Sequence, residues 1–376
     1  MDALLTKTLL RAHEFVAQPF KQEDNSPFFV YGTGSVGRDI YRILTEQGFS
    51  IAGFMDHRLK ETPSINGVQI FDPASKDISS SDRKACKIVL AIHNREANIP
   101  SIIGNLKKLG YLSIISIIDL YDFFAEYLGT RYSLTSRTFY QSNYASIEKV
   151  YKIWSDGKSR ETYSALLRFR ITGDFSLLPE PDTEHQYSPL DIPRWFPPLR
   201  LIDCGAYDGT LISSFIDSGM KLEAVAFFEP DLENYQFLSQ SVRNLNQNIS
   251  ELSLWPCGVY STTTQMQFIS GQGEASGVSA VGNTIVQCVA LDDALPNFAP
   301  TLIKMDIEGA EIEALHGAQN IIQKYKPGLA ISVYHAPEHI WEIPLLIREM
   351  LPNTYQYYLR SHAYNDFDTV FYAIPI

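Results

Sequence analysis

The sequence predicts an α/β protein of two Rossmann-like parallel-sheet domains joined by a helical segment. Three observations carry that expectation. Short apolar runs alternate with amphipathic stretches over residues 28–118, and the alternation restarts at Leu199. Strands that alternate with helices in this way form parallel sheets with helices on their faces. Each series opens on an apolar run, a glycine loop and a helical stretch, "FFVYGTGSVGRDIY" from Phe28 and "LIDCGAYDGT" from Leu201. Between them the pattern becomes helical and then proline-rich. The domains therefore read as residues 1–118, 119–198 and 199–376.

Taken in order, "MDALLTKTLLRAHEF" spaces its leucines as a short helix, and a polar connector comes after it. "FFVYG", "SIAGFMD", "KIVLAI" and "LSIISII" read as strands, with helices at "VGRDIYRILTEQG" and "IPSIIGNLKKLG". "YASIEKVYKIWSD" and "SRETYSALLRFRITG" carry apolar residues at helical spacing. "LLPEPDTEHQYSPLDIPRWFPP" cannot continue a helix, because proline lacks the amide donor. In the last domain, strands are expected at "LRLIDCG", "EAVAFFEP", "SELSLWPCGVY", "TQMQFIS", "IVQCVAL", "TLIKMDIEG" and "GLAISVYH". Helices are expected at "GTLISSFIDSG", "LENYQFLSQSVRNL", "AEIEALHGAQNIIQKY" and "IWEIPLLIREM". "GQGEASGVSAVGN" is a loop by composition. "YQYYLRSHAYNDFDTVFYAIP" reads as two strands about a polar turn.

The net charge of −12 argues against a chain whose main role is to bind nucleic-acid phosphates. No apolar run approaches the ~20 residues of a membrane span. The N-terminus has neither a long apolar core nor a small-residue cleavage site, so no signal peptide is expected. Cys86, Cys204, Cys257 and Cys288 form no C-x-x-C pair. They read as reduced thiols of a cytoplasmic protein rather than as a zinc site.

The second glycine loop is the better guide to chemistry. Asp203 ends its strand, and Gly205, Ala206, Tyr207 and Gly209 form the turn. Ligands of open α/β sheets bind outside the carboxyl ends of the strands. The next strand ends in Glu229 and Pro230, where a carboxylate can accept hydrogen bonds from both ribose hydroxyls of a nucleoside. A carboxylate such as Asp203 suits an ammonium or sulfonium better than a pyrophosphate. S-adenosylmethionine carries both cations and a ribose. Cys257 and Gly258 are expected beside the adenine. Asp306 and Glu308 come just after another apolar strand, and His335 ends the strand after that. These three are the expected catalytic groups. With His362 they also form a set able to hold a divalent metal. Arg360 and His362 are expected near the acceptor. Glu311 reads as a first-turn carboxylate that serves the helix dipole. Lys304 has no assigned role.

"IDCGAYDG", "FFEP", "ALDD", "IKMDIEGAE" and "ISVYH" occur in this order and together resemble the FkbM family of S-adenosylmethionine-dependent methyltransferases. The resemblance runs from about Leu199 to the C-terminus. "SRETYSALLRFRITGD" and "QYSPLD" are similar to the segment preceding the catalytic domain in longer members. It implies a seven-stranded class I methyltransferase fold whose last two strands form a hairpin with a reversed edge. It also implies methyl transfer from S-adenosylmethionine to a hydroxyl oxygen of a sugar, in a polysaccharide or a glycosylated metabolite. Tyr334 and His335 stand where the family carries an acidic residue, so the chain departs from the pattern there.

Gly32, Gly34, Gly37 and Asp56 satisfy the dinucleotide fingerprint formally. No hydride-transfer constellation accompanies them, and His93 is the one histidine at a strand end in that domain. The segment resembles the nucleotide-sugar-binding domains that precede some bacterial sugar acyltransferases. It is expected to hold a nucleotide sugar, a dinucleotide, or nothing, in which last case it would orient the other domain or join two copies of the chain. Two rivals to the methyltransferase reading are an NAD-dependent sugar-modifying oxidoreductase and a non-catalytic nucleotide-binding protein.

Overall fold

The computed structural model describes residues 1–16, 26–57, 64–243, 245, 249–269, 277–278, 282 and 284–376. The polar connector after the first helix and most of "GQGEASGVSAVGN" lie outside the described residues, and within the latter Gly277–Val278 form a short strand rather than the expected loop. The chain forms two compact units. One holds residues 1–145, 163–180 and 363–367, and the other 146–162, 181–362 and 368–376. The segment 119–198 is divided between them.

The first unit is built on six strands: β1 (Phe28–Tyr31), β2 (Ile51–Met55), β3 (Ser64–Ile65), β4 (Val68–Phe71), β5 (Lys87–Leu90) and β6 (Ser113–Ile115). They lie in the order β3-β4-β2-β1-β5-β6. All pairs are parallel except β3 with β4. β1 is buried along its whole length, which is why "FFVY" is an unbroken apolar run. The helix Ser35–Glu46 turns Gly37, Ile40, Ile43 and Leu44 inward. The hairpin β3–β4 is not among the strands expected from the sequence. Its turn is Asn66-Gly67, both at positive φ, a recognised signal for a tight hairpin.

The second unit contains the expected seven-stranded sheet. Its strands are β7 (Leu199–Cys204), β8 (Leu222–Phe228), β9 (Glu251–Trp255), β14 (Leu302–Met305), β15 (Gly328–Ser332), β16 (Tyr355–Ser361) and β17 (Thr369–Pro375). The order is β16-β17-β15-β14-β7-β8-β9, and β17 runs against both its neighbours while the other pairs are parallel. The α/β class and the reversed-edge hairpin are as the sequence predicts. Four further strands, β10 (Gly258–Val259), β11 (Thr264–Ile269), β12 (Gly277–Val278) and β13 (Thr284–Val289), form a separate sheet in the order β10-β13-β11-β12.

"AEIEALHGAQNIIQKY" is not one helix. It breaks into Glu311–His316 and Gln319–Tyr325. Gly317 sits at the break because a Cβ there would come 2.1 Å from the Tyr260 carbonyl oxygen. A close backbone approach, not helix propensity, decides this position.

Candidate functional site

β8, β7, β14 and β15 are adjacent and parallel, so their carboxyl ends share one edge of the sheet. The loop after β7 starts with Gly205 at φ 76°. A Cβ on Gly205 would lie 1.9 Å from the Asp306 carbonyl oxygen, so only glycine lets the two strand tips meet. Tyr207 also has positive φ, and Gly209 caps the helix Thr210–Asp217 in the left-handed region. Backbone strain of this kind clusters where a loop must present groups to a ligand. Glu229, at the tip of β8, accepts a hydrogen bond from the Tyr207 amide and one from the Asp231 amide, both 2.9 Å. Burial pushes its carboxyl up to about 7. Ala206 is buried. Pro230 lies beside Gly258, whose ideal Cβ position is 3.9 Å from the Pro230 Cβ, and Cys257 is buried next to it. The residues expected around a nucleoside are thus gathered at the tips of β8 and β9.

Asp203 has a different role from the one expected. It is fully buried, and its carboxylate lies 3.0 Å from the Lys304 ammonium rather than in the crevice. Lys304 also donates to the Gly205 carbonyl at 2.5 Å. Burial by itself would lower the ammonium's pKa, but the charges of Asp203 and Asp306 and the hydrogen bond to Asp203 together outweigh it and raise the pKa. The pair faces across β7 and β14 in register. It neutralises two buried charges and ties down the start of the glycine loop.

Asp306, Glu308 and His335 do come together, with further partners that sequence reasoning missed. The His335 Nε2 lies 3.3 Å from Asp306 and 3.5 Å from Glu308. Its Nδ1 lies 2.7 Å from Glu311, whose other oxygen is 3.3 Å from His339 Nδ1. Glu311 is fully buried and also accepts from the Ile307 amide at 2.9 Å. It is a structural partner of the imidazole, not a solvated dipole carboxylate. Burial favours the neutral ring, yet the charges of Glu311 and Glu308 hold His335 well above its usual pKa. Burial likewise opposes charge on Glu311, and His335 and His339, through their charges and hydrogen bonds together, outweigh it and hold the carboxyl well below its usual range. Glu308 has φ 55°, and burial raises its carboxyl. Tyr187 donates to Asp306 Oδ2 at 2.7 Å, and the Tyr334 hydroxyl is 3.5 Å from Oδ1.

A signal for Glu311 existed. Glu311, Ala314 and Leu315 form one face of their helix, and a carboxylate on an apolar face needs a partner. Tyr187 lies inside the proline-rich connector, far from Asp306 in sequence, and no local pattern marks it.

Arg360 and His362 do not stand open to an acceptor. Arg360 is ion-paired with Asp156 at 2.6 Å and Asp191 at 3.0 Å. His362 bonds the Asp182 carbonyl at 2.6 Å and the Tyr372 hydroxyl at 2.7 Å. Both are buried and hold the connector to the last strands.

In the first unit, Gly32 has φ 112°, and a Cβ on Gly37 would come 2.0 Å from the Gly32 carbonyl oxygen. Those two glycines serve the turn and the packing of helix on strand. A Cβ on Gly34 would meet open space. Asp56 accepts from the Thr33 hydroxyl at 2.8 Å. His93 is buried between Tyr132 and Phe367, and burial lowers it to about 3.

Residues 203–365 match the family model of the Methyltransferase FkbM domain. The resemblance read from the motifs is met over that segment. Among solved structures, the chain is similar to the crystal structure of Methyltransferase FkbM from Methylobacillus flagellatus KT. The TM-score is 0.81, at 22% sequence identity over 99% of each chain. At that identity the likeness is one of fold. The comparison with curated proteins gives no match. Among the described residues no helix is long and apolar enough to cross a membrane.

Proposed function

We propose that the chain is an S-adenosylmethionine-dependent methyltransferase that methylates a hydroxyl oxygen, with a sugar-containing molecule as acceptor. The observation that carries the proposal is the Glu229 carboxylate, fixed at the tip of β8 by the Tyr207 and Asp231 amides beside a loop of tight glycine turns. That geometry fits the ribose of an adenosyl ligand, because the Tyr207 and Asp231 amides and the Asn234 side chain leave the carboxylate acceptor capacity for a hydroxyl. Pro230, Cys257 and Gly258 would flank the adenine. When bound, S-adenosylmethionine supplies a methyl group on a sulfonium, an activated donor that leaves S-adenosylhomocysteine.

The chain's own work is then to align the acceptor and take its proton. Asp306 is held by Tyr187 and Tyr334, so its oxygens are fixed in direction. Glu308 stands at the rim of the cluster, 17% exposed, where it can accept the hydroxyl proton. His335, oriented by Glu311 behind it, faces both carboxylates with its Nε2. The sugar acceptor rests on the family resemblance, not on a contact.

The test is incubation of the full chain with methyl-labelled S-adenosylmethionine and a panel of sugars, sugar phosphates and nucleotide sugars. Label transferred to an acceptor, and lost in Glu308→Gln, supports the reading. Transfer that is indifferent to both Glu229→Ala and Glu308→Gln overturns it.

A further inference from the structure

We propose that the tips of β14 and β15 form a divalent-cation site, with Asp306 and the Nε2 of His335 as protein ligands and Glu311 as the outer partner of the imidazole. The inference rests on the methyltransferase reading only for its use, not for its geometry. Ligand atoms of Asp306, Glu311 and His335 all lie within 4.8 Å of one another.

The distances divide into two kinds. His335 Nδ1 to Glu311 is 2.7 Å, the length of a charge-assisted hydrogen bond. Nε2 to Asp306 and to Glu308 is 3.3 and 3.5 Å, too long for that. Metal–ligand bonds of about 2.1 Å place neighbouring ligands about 3.0–3.4 Å apart in octahedral or tetrahedral shells. The Nε2 to Asp306 separation has the length of such an edge. A hydrogen bond from Nδ1 to a carboxylate is also how proteins fix the tautomer and direction of a metal-binding imidazole. Glu311 is well built for that duty. It is fully buried, anchored by the Ile307 amide and braced by His339.

Charge points the same way. Three carboxylates, Asp306, Glu308 and Glu311, converge on one imidazole. The nearby Lys304 ammonium is taken by Asp203. With Nε2 free to bind a cation the ring is neutral and the three carboxylates are unbalanced, and burying uncompensated negative charge is costly. A dication offsets two of the three negative charges. Oxygen ligands with one imidazole suit Mn²⁺ or Mg²⁺, which complete their shells with water and substrate oxygens. Two protein ligands leave positions for two adjacent acceptor oxygens. The acceptor class this favours carries a vicinal diol or a hydroxyl beside a carboxylate. Glu308 remains next to the cation to take the proton of the bound hydroxyl.

The experiment is a titration of the chelator-stripped full chain with Mn²⁺, read by loss of the free-ion paramagnetic resonance signal. S-adenosylhomocysteine is titrated calorimetrically into the same samples. One equivalent of Mn²⁺ should bind, and Mg²⁺ should compete. Asp306→Asn should weaken Mn²⁺ binding more than tenfold, and Glu311→Gln by about 10–100-fold, as for outer partners of metal ligands. Should Glu311→Gln fail to fold, Asp306→Asn, at a partly exposed side chain, decides alone. No Mn²⁺ uptake, or uptake unchanged in Asp306→Asn, overturns the site. S-adenosylhomocysteine binding without Mn²⁺ removes the cation and keeps the methyltransferase. Mn²⁺ binding without S-adenosylhomocysteine does the reverse.

Discussion

At the scale of single residues, three side chains or their absence carry testable consequences. Gly205 combines positive φ with a 1.9 Å approach to the Asp306 carbonyl. Gly205→Ala should therefore lower the melting temperature sharply, by several kcal/mol of stability, the scale of a strained backbone plus an overpacked contact. An unchanged thermal melt would contradict that. In the proposed site Glu229 must be ionised to accept from the ribose, and burial pushes its carboxyl up to about 7. Protonation at lower pH removes acceptors, so affinity should rise with pH and level off above 7. Calorimetry should find S-adenosylhomocysteine bound roughly tenfold more weakly at about pH 6 than at about pH 8. A flat pH profile would mean that the carboxylate does not touch the ligand. Tyr187→Phe removes the 2.7 Å hydrogen bond to Asp306 and the hydroxyl's interaction with Ser332 while keeping the ring. Turnover should drop about 10–100-fold, the worth of a bond to a charged group, with S-adenosylhomocysteine affinity kept.

At the scale of elements, the pairing of β7 with β14 sets Lys304 opposite Asp203 in the buried interior. Lys304→Met strands a buried carboxylate and should cost about 3–5 kcal/mol, whereas Asp203→Leu combined with Lys304→Met should recover most of it. Chemical denaturation of the two variants checks the difference. Equal stability would mean that water, not Lys304, compensates Asp203. The strands of the seven-stranded sheet and its terminal hairpin were legible in the sequence because each is a short apolar run with its own turn signals, whereas the short β3–β4 hairpin was not. The glycine loop and Glu229 were legible for the same reason, since the end of an apolar run marks where a strand tip opens into the crevice. The duties of Asp203, Glu311, Arg360 and His362 were not. Each is decided by a partner supplied from elsewhere: Lys304, His335, Asp191 and Tyr372. Local pattern shows that a charge is present but not whether it meets solvent, a ligand or another buried group.

At the scale of the whole molecule, both glycine loops fold as strand–turn–helix, yet they differ in what surrounds them. The first has Asp56 bonded to Thr33 and a buried His93, kept neutral by burial, at the neighbouring strand end. The second has Glu229 and a cluster of carboxylates and imidazole along one sheet edge. The methyltransferase proposal therefore rests on the second. Gly34→Arg, at a position whose Cβ faces open space, should leave S-adenosylhomocysteine affinity within about twofold of the parent chain, well under 1 kcal/mol. The most direct measurement is calorimetric titration of the purified chain with S-adenosylhomocysteine and, in parallel, with NAD. One site for S-adenosylhomocysteine is expected, lost in Glu229→Ala and retained in Gly34→Arg. Heat from NAD alone, abolished by Gly34→Arg, would contradict this and make the opening glycine loop the working site.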